Sequence, residues 1–285
     1  MTVIRVVSYN IHKGRSAMGA RESLAELRLG LYNLRPDLVF LQEVQGRNQR
    51  RFSLHAQHES LSAALGMDAA YGCNAVRQHT DHGNALLSRY PILLHENLDI
   101  SDHRLEQRGL LHVVIDVEGT PVHCLVVHLG LFAGGRSRQI ARLVERIKTW
   151  VPEHEPILIA GDFNDWNNRL APLFVNQLNL YEVFAVAPSS GMVLPDTRGP
   201  IGRIKASLRS FPKPRPLVQK VHELGNQGAP RLTLPPRTFP AAFPWLRLDR
   251  IYQRGFAVRQ ARVLYGSPWK QLSDHAPLMA ELELP

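Results

Sequence analysis

Ile157-Leu-Ile-Ala-Gly-Asp-Phe-Asn164 is an uninterrupted apolar run that breaks off into a glycine and two polar residues. A strand of that length with no polar alternation is covered on both faces, so it belongs to the middle of a layered fold. Working outward, Ile140, Leu143, Val144 and Ile147 recur at helical spacing and predict an amphipathic helix from about Arg136 to Trp150. Before it, Leu110–Val117 and Val122–Val127 form a hairpin pattern around Gly119-Thr120. Ile4–Tyr9 reads as a strand, Leu24, Leu27, Leu31 and Leu34 as a helix stopped by Pro36, and Asp37–Leu41 as a short buried strand ending in Gln42-Glu43. Asn84–Leu87 and Pro91–Leu94 are strand-like around a turn at Arg89-Tyr90, and Leu248–Tyr252, Val258–Leu264 and Leu278–Leu282 close the series. No repeat period appears. The pattern predicts an α/β fold of two sheets packed face to face with helices outside, forming one domain over residues 1–285.

Composition narrows the setting. The apolar and charged fractions, 44% and 21%, are ordinary globular values and exclude a disordered chain. Cys73 and Cys124 are too few for a disulfide framework, and packing is the default reading for both. There is no basic start followed by an apolar stretch, and no run nears the ~18 apolar residues of a membrane span, so a cytoplasmic protein is expected. The net charge of +9 favours acidic partners: nucleic acid, or an anionic phospholipid surface. Residues 201–240 hold eight basic residues against Glu223 alone, and 11 of the 20 prolines fall between Pro188 and Pro244. Proline at that density breaks helices and central strands, so 188–244 is expected to be a long basic excursion from the domain.

Polar residues gather where the apolar strands end. Asn10 follows Ile4–Tyr9, Glu43 follows Leu38–Leu41, His128 follows Leu125–Val127, and Asp162 and Asn164 follow Ile157–Ala160. Asp249 lies within Leu248–Tyr252, and Asp274-His275 precede the last strand. Each has an ordinary reading alone: a turn residue for Asn10, a solvated carboxylate for Glu43, an Asx-turn for Asp162, a half-buried histidine for His128, a partner of Arg250 or Arg247 for Asp249, a cap for Asp274-His275. Together they describe one site of oxygen donors and acid–base groups, which selects Mg²⁺, Mn²⁺ or Ca²⁺ over zinc. His79 and His82 around Asp81 have a metal-like spacing, but a loop of surface histidines is the expected reading.

Ser8-Tyr-Asn-Ile-His12, Leu41-Gln-Glu-Val44, Gly83-Asn-Ala-Leu-Leu-Ser88, Val127-His-Leu129, Gly161-Asp-Phe-Asn164, Leu248-Asp-Arg-Ile251 and Ser273-Asp-His275 resemble, in order, the endonuclease/exonuclease/phosphatase superfamily. The opening block and Val127-His-Leu-Gly130 look more like its DNase I and neutral sphingomyelinase branch than its abasic-site endonucleases, which usually show an Asn-Val-Asn-Gly type start. The resemblance implies a four-layer α/β sandwich and cleavage of a phosphate ester with Mg²⁺, for which Mn²⁺ could substitute. Carried over residue by residue, Glu43 is the principal Mg²⁺ ligand, with Asn10 beside it and Asp274 contributing. Asp162 orients and deprotonates the attacking water, and Asn164 holds a phosphate oxygen. His275, paired with Asp249, stabilises or protonates the phosphoryl group, and His128 is a second phosphate-contacting histidine.

Nuclease action on DNA or RNA is the leading expectation, with Lys213, Arg215 and Arg237 tracking the backbone of the strand and Phe211, Phe239, Phe243 or Trp245 available for stacking on bases. The alternative is a lipid-headgroup phosphodiesterase or phosphatase that uses the same basic segment on an anionic membrane, with Phe239, Phe243, Trp245 and Leu246 as anchors.

Overall fold

Strand β1 (Thr2–Asn10) has both faces covered, and its alternation shows what lies on each side. Ile4 and Val6 enter a core between two sheets, whereas Val7 and Tyr9 enter a second core beneath helices. A computed structural model describes residues 1–48, 56–103, 106–188 and 234–285. Its strands are β1, β2 (Leu38–Asn48), β3 (Asp68–Val76), β4 (Thr80–Ser88), β5 (Ile92–Asp99), β6 (Gly109–Val117), β7 (Thr120–His128), β8 (Ile157–Asp162), β9 (Tyr181–Glu182), β10 (Asp249–Arg254), β11 (Ala257–Val263) and β12 (Leu278–Leu284). Helices α1 (Leu24–Leu34), α2 (Gln57–Leu65), α3 (Ala133–Trp150), α4 (Ala171–Leu178), α5 (Val183–Val186) and α6 (Trp269–Leu272) join them.

One sheet runs β11-β12-β1-β2-β4-β3 and the other β5-β6-β7-β8-β10-β9. Each has one parallel pair bridged by a crossover helix: β1 and β2 through α1, β7 and β8 through α3. Phe40, Leu86, Val113, Val126, Leu158 and Ile251 fill the space between the sheets. Leu143 and Ile147 of α3 and Phe174 of α4 cover the outer face of the second sheet, and Leu27 and Leu31 of α1, Leu61 of α2 and Trp269 of α6 cover that of the first. The architecture is the expected α/β sandwich of helices, two sheets and helices. No helix among the described residues is long and apolar enough to cross a membrane.

Several local expectations change. β2 continues past Glu43 to Asn48, with its pairing to β4 interrupted between Leu41 and Val44, so the strand bends where a stop was expected. Cys124 is buried as expected, but Cys73 is exposed, because β3 is the edge strand of its sheet. His82 belongs to β4 and is half-buried, not part of a surface loop. That strand lies unusually close to β3: a Cβ at Gly83 would stand 1.8 Å from the Gly72 carbonyl oxygen, which only glycine avoids.

A histidine pair lies apart from the strand ends. Arg146 Nε donates to His112 Nδ1 at 3.1 Å, which leaves the His112 proton on Nε2 to be donated to His123 Nδ1 at 2.9 Å. His123 Nε2 then donates to Glu155 at 2.6 Å. Burial, His123 and Arg146 hold His112 at about 3, against 6.5 for an ordinary histidine. The unfolded chain therefore binds this proton before the folded one does. The stability His112 contributes is present above about pH 6.5 and is lost as pH falls towards 3, by up to a few kcal/mol at 1.36 kcal/mol per pKa unit. Thermal melts of wild type and His112→Gln should converge as the buffer is acidified. A gap between them that stays constant with pH would show that the relay does not resist protonation.

Candidate active site

Backbone register assembles the site before any side chain is considered. His128 is the last residue of β7 and pairs in register with Asp162, the last of β8, which pairs in turn with Asp249, the first of β10. Three adjacent strands thus place their terminal polar residues in one row. Gly161 makes the row possible: its φ is +150°, and a Cβ there would meet the Val127 carbonyl oxygen at 1.9 Å. From the other sheet, Asn10 ends β1, and its Nδ2 reaches Asp162 Oδ2 at 3.4 Å. Arg250, 1% exposed, donates to the carbonyl oxygens of Asp249 at 2.8 Å and Asp165 at 3.0 Å and fixes the two segments together.

His128 and Asp162 line a cavity of about 320 Å³ together with Glu43, Asn164 and His275, whereas Asn10 and Asp249 touch these residues without being part of the lining. Asp162 is its centre. Its Oδ1 accepts the Asn164 N–H at 3.0 Å, which is the Asx-turn, while Oδ2 lies 3.6 Å from His128 Nε2 and 3.7 Å from His275 Nε2. The ordinary reading of Asp162 and the functional one therefore describe the same geometry. Asn164 also anchors its amide on the Leu129 carbonyl at 2.9 Å. Asp249 does not pair through its carboxylate with Arg250; it accepts from His275 Nδ1 at 2.9 Å. Asp162, Asp249 and His275 present ligand atoms within 4.8 Å of one another.

Charge follows from burial and neighbours. Burial raises Asp162 to about 6, with the charges of Asp249 and Glu43 adding and His275 and the Asn164 N–H opposing. Burial disfavours the His275 imidazolium, but Asp249, Asp162 and Asp274 outweigh it and push the ring up to about 10. Burial and Arg108 hold His128 well below the ordinary histidine range, so it is neutral. Glu43 is brought to about 2 against the penalty of its burial by His128, Lys13 and His12. With His128 neutral near pH 7, the cation that keeps Glu43 ionised there is Lys13, whose Nζ is 3.2 Å away.

Backbone strain concentrates here. Of eight non-glycine residues with positive φ among those described, His12, Lys13, Glu43 and Asn164 are at or beside the cavity. Left-handed backbone is costly for Glu, Lys and His, and such costs collect at functional sites.

Not every expected residue comes to the cavity. Asp274 is not among its lining residues, and its carboxylate lies 3.7 Å from His12 Nδ1. Arg237 is exposed and also outside the lining; its carbonyl accepts from Tyr265 at 2.7 Å. Lys213 and Arg215 fall outside the described residues. Conversely, Lys13, His82, Asn84, Arg108 and Trp166 line the cavity without having been singled out as site residues, and Phe239, expected only as a stacking or anchoring residue, lines it too. Asn84 sits inside the Gly83–Ser88 block and Lys13 directly follows the Ser8–His12 block, whereas Arg108 and Trp166 lie outside every block.

The sequence matches the Endonuclease/Exonuclease/phosphatase family over residues 7–275. It is 36% identical over 289 residues to "Uncharacterized protein YbhP" of Escherichia coli K12, covering 98% of this chain and 96% of that one. An endonuclease/exonuclease/phosphatase from Beutenbergia cavernae superposes with a TM-score of 0.70 at 18% identity, covering 100% of this chain and 72% of the other. The human Nocturnin catalytic domain with bound sulfate gives 0.67 at 19%, covering 99% and 94%. Zebrafish (D. rerio) TDP2 complexed with single-strand DNA product gives 0.62 at 16%, covering 99% and 100%. The fold and the match over nearly the whole chain agree: this protein belongs to the endonuclease/exonuclease/phosphatase family.

Proposed function

We propose that this chain is a divalent-metal-dependent phosphodiesterase working by in-line attack of water, with Mg²⁺ its ion and Mn²⁺ a substitute. The observation that carries this reading is Asp162: a buried carboxylate raised to about 6, with Asn10, His128 and His275 within 3.7 Å of it. A base poised near neutrality suits proton abstraction from water. The His275 imidazolium, held by Asp249, supplies positive charge and a proton where the leaving oxygen develops charge. Asn164 and neutral His128 offer hydrogen bonds to the phosphoryl oxygens.

The donor set fits a hard cation. Glu43 is ionised, turned out of β2 by its positive φ, and already holds an ammonium at 3.2 Å. The oxygens of Glu43 and Asn10 are the ligand type Mg²⁺ prefers. Once bound, the ion would act as a Lewis acid on the phosphate ester. We place the enzyme in the cytoplasm, where the free thiols Cys73 and Cys124 persist.

Two phosphodiester classes suit this chemistry. The basic residues Lys213, Arg215 and Arg237 favour a nucleic acid strand. The exposed apolar residues near the cavity favour a lipid headgroup. Product release from labelled single-stranded DNA, RNA and phospholipid vesicles, with Mg²⁺ and with EDTA, tests the reading. Turnover of at least one class should vanish in EDTA, and Glu43→Gln should raise the Mg²⁺ concentration for half-maximal rate by about tenfold, roughly the worth of one charged ligand. No metal-dependent release from any of the three would refute it.

A further inference from the structure

The segment from Phe239 to Leu246 reads Phe-Pro-Ala-Ala-Phe-Pro-Trp-Leu, eight residues without one polar side chain apart from the indole N–H. Phe239 and Leu246 pair as a bridge and both line the cavity, so the residues between them form a turn at its mouth. The Trp245 and Leu246 N–H groups close it on the Phe239 carbonyl, each at 2.9 Å. Its apolar tip faces solvent: Phe243 is 81% and Trp245 58% exposed. A second apolar stretch reaches the same mouth, where Leu131 lines the cavity yet is 54% exposed and its neighbour Phe132 is 69% exposed. Scattered exposed apolar residues are ordinary, but their gathering at one cavity marks an interaction surface.

Charge identifies the occupant. Arg237 and Arg247 bracket the turn, and besides burial both Arg237 and Arg250 lower the Arg247 pKa, so Arg247 lies in a cationic environment. Among the described residues neither forms an ion pair, and the whole chain carries +9. An apolar tip between two cations that form no ion pair among the described residues suits a surface that is anionic outside and hydrocarbon within. It suits readout of duplex nucleic acid less well: those interfaces are polar, and this turn offers only the indole N–H to meet a base edge.

We propose that the Phe239–Leu246 turn inserts into an anionic phospholipid surface and so brings lipid phosphodiesters to the cavity. This deepens the reading above by naming where the substrate lies. The test is co-sedimentation of the full-length protein, in EDTA, with vesicles of equal parts phosphatidylcholine and phosphatidylglycerol or of phosphatidylcholine alone. Wild type should bind the mixed vesicles at least about tenfold more tightly than the neutral ones. The doubly substituted Phe243→Ser, Trp245→Ser protein should lose at least about tenfold on the mixed vesicles while melting at the wild-type temperature, since both side chains are exposed. Tryptophan emission should shift to the blue with mixed vesicles in wild type and not in Trp245→Phe. Absent vesicle binding, or binding that both substitutions leave intact, overturns the proposal. So does a loss confined to binding a single-stranded DNA oligonucleotide, which would assign the turn to base stacking. Because EDTA removes turnover from the measurement, vesicle binding in EDTA together with no Mg²⁺-dependent release from DNA, RNA or vesicles would refute the phosphodiesterase reading alone.

Discussion

Asp162→Asn should lower kcat by about 10³-fold, in the range a positioned general base contributes. The substitution is nearly isosteric, and Oδ1 can still accept the Asn164 N–H, so the turn after β8 survives. What disappears is proton acceptance at Oδ2, the atom within 3.7 Å of Asn10, His128 and His275. Burial raises Asp162 to about 6, and a base works only when deprotonated, so the wild-type rate should rise with pH through that region. The variant should keep a small residual rate and lose the acidic limb. Rates on bis(p-nitrophenyl) phosphate from about pH 5 to about pH 8 read both effects. An acidic limb that survives in Asp162→Asn would assign the base to another group.

The strands that form the site were legible because both sheets are covered on both sides. Strands β1, β7 and β8 are near-continuous apolar runs, and polar residues at their ends stand out against them. Elements at the sheet edge were not. β3 is built largely from the small residues Ala69, Ala70, Gly72 and Ala75, with no alternation strong enough to mark it. α2 buries only Gln57, Leu61 and Leu65. Asn10, Glu43, His128, Asp162 and Asn164 could be found because each follows a buried run in the chain, and Asp249 and His275 because each stands at the start of one. Lys13, His82 and Arg108 have no such signal: a left-handed turn, a close strand pairing at Gly83 and a loop before β6 bring them to the cavity. The pairing of Asp249 with His275 spans 26 residues and depends on β10 and the segment before β12 meeting at the same end of the fold.

That pair supports the second large effect. Asp249→Asn should reduce kcat by about 10²–10³-fold, as expected when a histidine loses the carboxylate that fixes its tautomer and charge. His275 is buried, and burial alone favours the neutral ring; Asp249, at 2.9 Å from Nδ1, is the largest influence reversing that preference and raising the ring to about 10. In wild type the rate should fall on the alkaline side as His275 deprotonates near 10. In Asp249→Asn that limb should move to lower pH, narrowing the active window from one side only. Stability should follow the same sign. A ring whose folded pKa exceeds the ordinary 6.5 contributes stabilisation that is complete below 6.5 and is lost as pH rises through about 10. The wild-type melting temperature should therefore decline across that interval and the variant's should decline less, with the His275 ring proton resonance titrating at lower pH in the variant. If the alkaline limb and the resonance both stay where wild type has them, Asp249 is a structural partner of His275 and the imidazolium owes its charge to Asp162 and Asp274.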